Sequence, residues 1–174
     1  PKICSYSCIY CQLGKTLNMH AKRKVFYKPE KLSEAVEKKI KDAEDKEEHI
    51  DYLTFVPDGE PTLDINLGKE IELLKTFGIK IAVISNASLI WQKDVQDDLC
   101  KADWVSLKID AVNEDVWRKI DRPHRSLQHD KILQGITEFS RIFTGKLATE
   151  TMLIQKVNDT VHEVEKIAGF IDGL

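Results

Sequence analysis

Three of the four cysteines, Cys4, Cys8 and Cys11, fall within eight residues of one another, while Cys100 stands alone. Thiols so crowded are either bonded to each other or hold something soft. A disulfide framework suits a small secreted chain with an even set of cysteines at wide spacings, which this is not. Cys8-Ile9-Tyr10-Cys11 has the spacing of a redox dithiol, but that leaves Cys4 without a task. Zinc takes four ligands, usually from paired knuckles; one knuckle is present, and Cys100 or His20 would have to complete the set. The remaining reading is an iron-sulfur cluster, in which three thiolates bind three irons and leave the fourth open to an outside ligand.

Whatever the thiols hold, the elements that follow must present it. At 174 residues, 42% hydrophobic and 32% charged, the chain has enough apolar content for one core of ordinary size. Lys and Arg number 26 against 29 Asp and Glu, a net charge of -3, so no global field draws nucleic acid or an anionic membrane. A local patch would be needed, and residues 12–28 supply one: Lys15, Lys22, Arg23, Lys24 and Lys28 without an acid among them. No apolar run approaches the roughly 20 residues of a membrane helix, and Pro1-Lys2-Ile3-Cys4 is no signal peptide. A cytoplasmic protein without a membrane partner is expected. The chain starts without Met, just ahead of its first cysteine, as a fragment would.

The apolar pattern predicts strands over 52–56, 79–84, 104–110 and 147–154. Helices are predicted over 29–47, opened by Pro29, then from Leu67 to a stop at Gly78, and over 93–100, 114–120, 130–143 and 162–171. This alternation predicts one α/β domain over residues 1–174, with a parallel sheet and ligand contacts at the strand C-terminal ends. Ser85-Asn86 closes one strand, where either a ligand contact or an Asx turn is an ordinary use. On 104–110, Ser106, Lys108 and Asp110 share one face, as on a wet edge strand or a ligand-lined interior. Gln155-Lys156-Val157-Asn158 follows another strand and would face cofactor or substrate. Arg118, Arg122, His124 and Arg125 cluster where they could meet an anion, RNA phosphates or only solvent. Cys100, beside Val95 and Leu99, is expected to be a small buried residue.

Cys4-Ser5-Tyr6-Ser7-Cys8-Ile9-Tyr10-Cys11 resembles the CxxxCxxC signature of the radical S-adenosylmethionine enzymes, down to the aromatic residue before the third cysteine. The resemblance implies a partial parallel (β/α)6 barrel of the TIM type, whose first strand runs straight into the cysteine loop. The first and last strands would lie outside these residues. It also implies a [4Fe-4S] cluster on Cys4, Cys8 and Cys11, whose open iron chelates the methionine end of S-adenosylmethionine. Reduction then releases a 5'-deoxyadenosyl radical that abstracts hydrogen from an unidentified substrate.

Asp58-Gly59-Glu60-Pro61 is similar to the family's GGE segment, with Asp58 in place of the first glycine. Gly59 would let the backbone approach the methionine amino group and Glu60 would accept from it. By the same resemblance Lys108 meets a carboxylate, Asp110 or Ser106 meets ribose hydroxyls, Tyr10 lies near adenine, and Ser85 and Asn86 contact the cofactor. Reduced flavodoxin or ferredoxin is implied as electron donor. The loop and the Gly59-Glu60-Pro61-Thr62-Leu63 run look most like iron-sulfur oxidoreductases related to wyosine-synthesising tRNA enzymes, although Gln12 stands where those carry Trp. That makes tRNA one expected substrate. A glycyl-radical enzyme activase and a non-catalytic zinc-binding module are the alternatives.

Overall fold

Apolar runs too short to be helices alternate with amphipathic segments long enough to be, and the computed structural model, which describes residues 2–174, turns them into strands and crossover helices. After the cysteine loop come α1 (Pro29–Glu44), β1 (Tyr52–Phe55), a 3-10 turn (Pro61–Leu63), α2 (Leu67–Lys75) and β2 (Lys80–Ser85). Then follow α3 (Lys93–Leu99), β3 (Trp104–Lys108), α4 (Glu114–Asp121), α5 (His129–Ile142), β4 (Lys146–Glu150) and α6 (Val161–Asp172). The strands pair in parallel in chain order, β1-β2-β3-β4, with Val83 level with Val105 and Lys108 with Glu150. The sheet is open, as four strands of a six-stranded barrel would be.

Local chemistry sets the ends. Pro29 preorganises the first turn of α1, and Asn113 caps α4 by accepting from the N–H groups of Asp115 and Val116. Thr160 caps α6, and Gly78, at φ +74°, turns the chain out of α2 toward β2. The stripe Leu67, Ile71 and Leu74 packs with Ile81, Val83, Leu99, Val105 and Leu107 in one buried cluster. Each such side chain contributes about 1.5–3 kcal/mol when fully buried. The register puts Ala82, Ile84, Ser106, Lys108 and Glu150 on the other sheet face, which carries the polar side chains.

Three expectations are corrected. The strand predicted over 147–154 stops at Glu150, because side chains take the backbone donors beyond it: Met152 N–H bonds Asp110 Oδ1 and Ile154 N–H bonds Asn158 Oδ1. Asn158, expected with residues 155–157 to face cofactor or substrate, is instead fully buried as a staple, its Nδ2 donating to Asp110 O and Met152 O. Cys100 is exposed, since it caps α3 with Val95 and Leu99 facing inward and its own side chain facing out. Among the described residues no helix is long and apolar enough to cross a membrane.

Candidate active site at the strand ends

The loop that carries the thiols is pinned from two sides. Ile3 bridges in parallel to Gly59 just beyond β1: Ile3 N–H donates to Asp58 O and Glu60 N–H to Ile3 O, each at 3.0 Å. Gly59 has φ +155°, and a Cβ there would stand 1.6 Å from Ile3 O, so glycine alone lets these backbones meet. On the other side Ser7 N–H donates to Asp121 O, Ile9 N–H to Ile120 O, and His124 N–H to Ser5 O. Carbonyls at the end of α4, which lack intrahelical partners, are satisfied by the loop. Tyr6 drops into the core edge-on to Trp117 and accepts the Trp117 Nε1–H bond at 3.2 Å. Trp117 in turn stacks on the buried His129 ring, 4.7 Å between centroids.

All three thiols are free and line one cavity of about 170 Å³ together with Tyr10, Gly59, Glu60, Ser85, Asn86, Lys108 and Glu150. Larger hollows run along α1 and β1 and contain no cysteine. Asn86 Nδ2 donates to Cys4 Sγ at 3.4 Å, Cys8 Sγ donates to Asp121 Oδ1 at 3.1 Å, and Lys2 Nζ donates to Cys11 Sγ at 3.0 Å. Burial pushes the Cys4 thiol up to about 11. It raises Cys8 further, with the Asp121 charge adding to it. At Cys11 a burial effect that raises the thiol is outweighed by hydrogen bonds from Lys2 and the Leu13 backbone, and the net shift is downward. A bound metal deprotonates such thiols by its own charge.

The donor set fits a cluster better than a single ion. Thiolates on one tetrahedral zinc stand about 3.8 Å apart. Among the described residues no three His, Cys, Asp or Glu side chains gather closely enough to hold one metal ion. Cys100 precedes β3, at the opposite end of the strands from the cysteine loop, and so does not complete a set with it. Three soft thiols set around a cavity suit an iron-sulfur cube, which spans more than one ion does.

Glu60, 4% exposed, is the buried acid beside the cysteines in this cavity, which Glu150 also lines. Its Oε1 accepts from Thr62 N–H at 3.0 Å, Thr62 Oγ1 at 2.6 Å and Ser85 Oγ at 2.8 Å, and its Oε2 accepts from Asn86 N–H at 2.7 Å. Burial raises its pKa against these four donors, which lower it. The result is a fixed carboxylate with lone-pair capacity to spare on Oε2. Asn86 makes the expected Asx turn, its Oδ1 accepting from Ser88 N–H, and its Nδ2 donates to Cys4 Sγ and Ser5 Oγ.

Of the polar row on β3, Lys108 reaches the cavity and the others stand behind it. Lys108 Nζ lies 4.8 Å from the Tyr10 ring centroid and 3.9 Å from Asp110 Oδ1. Asp110, 2% exposed, accepts from Tyr10 Oη and from Met152 N–H, so it orients Tyr10 and the strand end. Ser106 Oγ bonds Glu150 Oε1 at 2.5 Å. Lys2, Asp121 and Glu150 belong to the site and were not foreseen. Glu150 is level with Lys108, a placement that only the strand register reveals, and Asp121 closes a helix whose end had no expected neighbour.

The family model for the Radical SAM superfamily matches residues 1–171. A UPF0026 protein of Methanocaldococcus jannaschii is 49% identical over 173 residues, covering 99% of this chain and 53% of its own. The chain spans about half the length of such curated relatives. Among solved structures, TYW1 with a lysine-pyruvate adduct bound superposes with a TM-score of 0.68 at 19% identity, over 99% of this chain and 58% of that one. SuiB of Streptococcus suis bound to S-adenosylmethionine gives 0.67 at 16% identity, over 97% and 35%. Four parallel strands, a cysteine loop pinned at their C-terminal ends and a match along nearly the whole chain lead to one assignment: this chain belongs to the Radical SAM superfamily.

Proposed function

We propose that this domain is the catalytic core of a cytoplasmic radical S-adenosylmethionine enzyme, with Cys4, Cys8 and Cys11 as ligands of a [4Fe-4S] cluster. One observation carries the reading: three free thiols on one loop share a cavity with a buried, preorganised carboxylate at the C-terminal ends of parallel strands. When bound, cluster and S-adenosylmethionine supply the radical that removes a hydrogen atom from substrate. The chain's own residues bind and orient. Gly59 lets the cysteine loop close against the end of β1 through Ile3, and Glu60 Oε2 accepts from the methionine ammonium. Lys108 supplies a charge-assisted donor to the carboxylate, Ser85 and Asn86 hold Glu60 and Cys4 in place, and Tyr10 offers its ring to adenine. Ser106 and Asp110 set Glu150 and Tyr10 toward the ribose side.

The test is electron paramagnetic resonance of the full-length protein, reconstituted and reduced without oxygen, with iron and sulfide analysis. A reduced [4Fe-4S] signal that changes on adding S-adenosylmethionine, and is lost in Cys8→Ala, is the expected result. Stoichiometric zinc without sulfide would overturn it.

The substrate proposed for test is tRNA. The segment after the cysteine loop interleaves exposed Lys15, Lys22, Lys24 and Lys28 with exposed Leu17, Val25 and Tyr27, the pattern of a surface that meets phosphates and stacks on bases. Neutralising Lys22, Lys24 and Lys28 should weaken tRNA binding and flatten its salt dependence. Absence of measurable binding to the full-length protein would exclude this substrate.

A further inference from the structure

The C-terminal end of α4 and the turn that follows it form the outer wall of the cysteine loop. Their backbone accepts from Ser7 and Ile9 and donates to Ser5, so one layer of main chain separates them from the thiols, and Asp121 Oδ1 touches Cys8 Sγ at 3.1 Å. From Trp117 to Gln128 the exposed charges are all basic: Arg118, Lys119, Arg122 and Arg125, with Asp121 buried beneath them. Arg118 is held by Glu114 at 2.7 Å. Among the described residues, Lys119, Arg122 and Arg125 have no carboxylate within salt-bridge distance.

Arg122 stands out on backbone grounds as well. It ends α4 in the left-handed region, φ 44° and ψ 61°, where glycine or asparagine fits with less strain. An arginine there costs local stability, and its side chain makes no hydrogen bond or ion pair among the described residues.

Two arguments fix what such a face serves. No residue from 117 to 125 lines the cavity, so a substrate that must reach the thiols and Glu60 enters elsewhere. A partner that needs closeness to the cysteines without entering the cavity can use this wall. Unpaired positive charge on it favours a partner of opposite sign, with the small, electrostatically steered interface of transient redox pairs.

We propose that Lys119, Arg122 and Arg125 form the docking surface for an acidic one-electron carrier protein. This rests on the cluster reading above. The balance is simple: one electron passes from the reduced carrier to the cluster ligated by Cys4, Cys8 and Cys11, the carrier is oxidised by one electron, and no bond or proton is exchanged at this face.

The test uses full-length reconstituted protein and reduced flavodoxin in stopped flow over a salt series. Iron and sulfide analysis of the wild type comes first, and failure there refutes the cluster reading rather than the docking face. K119E/R122G/R125E is compared with wild type and with K22E/K24E, which changes the other basic segment. At low salt the triple variant should be reduced about tenfold or more slowly by flavodoxin, with a shallower salt dependence, while dithionite reduces it at the wild-type rate. R122G alone keeps the test clear of misfolding, since it relieves the left-handed strain. It should melt higher than wild type yet take electrons from flavodoxin more slowly. Wild-type rates with flavodoxin in both variants would overturn the proposal, as would loss of tRNA binding in the triple variant with carrier reduction intact, which would give the face to nucleic acid.

Discussion

Arg23 looks from the sequence like one charge of a solvated basic run, but its side chain is 7% exposed and clamps three segments. Nε donates to Thr62 O at 2.9 Å and Nη2 to Asp64 O at 2.8 Å, fixing the turn that holds Glu60. Nη2 also meets Asp98 at 2.5 Å and Nη1 meets Asp94 at 2.7 Å. These four contacts are unequal. Asp94 is 59% exposed, so its pair is screened and contributes about 0–1 kcal/mol. Asp98 is 16% exposed, and truncating its partner strands both that carboxylate and two carbonyls. Breaking a buried pair of this kind costs about 3–5 kcal/mol. That is a large share of the roughly 5–15 kcal/mol that holds a domain together. Arg23→Ala is therefore expected to lower unfolding free energy by about 3–5 kcal/mol in urea titrations followed by circular dichroism, with the denaturant slope unchanged. Asp94→Ala should lose less than about 1 kcal/mol, and added salt should matter little for the Asp98 pair. A loss below about 1 kcal/mol for Arg23→Ala would refute the clamp, because an exposed ion pair already accounts for that much.

Gly59→Ala drives a Cβ into Ile3 O and removes two backbone bonds, an expected cost of about 2–4 kcal/mol with strain included. Gly78→Ala, at φ +74° with nothing within 4 Å, should cost less, and equal melting temperatures for the two would contradict the close-approach argument. Glu70 is 2% exposed with Oε1 unpartnered, and burial, then the Asp64 charge, pushes its pKa from 4.5 up to about 7. The unfolded chain releases that proton first, so stability should fall as pH rises from about 4.5 to 7 and level off above. Glu70→Gln should flatten that slope in denaturation curves, and an unchanged slope would show that Glu70 is not its source. Trp117→Phe leaves the buried Tyr6 hydroxyl without its donor and should cost about 1–3 kcal/mol by thermal melting, while a neutral result would mean that this bond does not hold the loop.

The periodicity of apolar residues was enough to place every strand and helix within a few residues, because each element buries a continuous stripe or face. Ends were less legible where side chains compete with the ladder, as at Met152 and Ile154. Cys100 was misjudged because its neighbours in sequence face inward while a helix cap turns outward. The clustered cysteines, Asn86 and Lys108 stand out by spacing and strand position, while Gly59 and Glu60 stand out only through the resemblance to the family's GGE segment. Lys2, Asp121 and Glu150 do not, since each is brought in by a pairing or a helix end with no local signature. Arg23 shows the same limit, for composition counts a charge without showing whether it is in water.

The separation in sequence between Cys8 and Asp121 is 113 residues, and the other anchors of the loop at Ile120 and His124 are as distant. Synthesis runs from the N-terminus, so the thiols emerge long before the helix end that will hold them exists. A nascent chain therefore carries three unshielded cysteines until α4 is complete. The strands add one neighbour at a time, in the order in which they are made, and the cysteine loop finds its anchors once α4 is complete, before β4 adds the last neighbour to the sheet. Full anchoring of the site then waits for the end of α4, and any oxidant that reaches the ribosome-bound chain before that point meets three unshielded thiols.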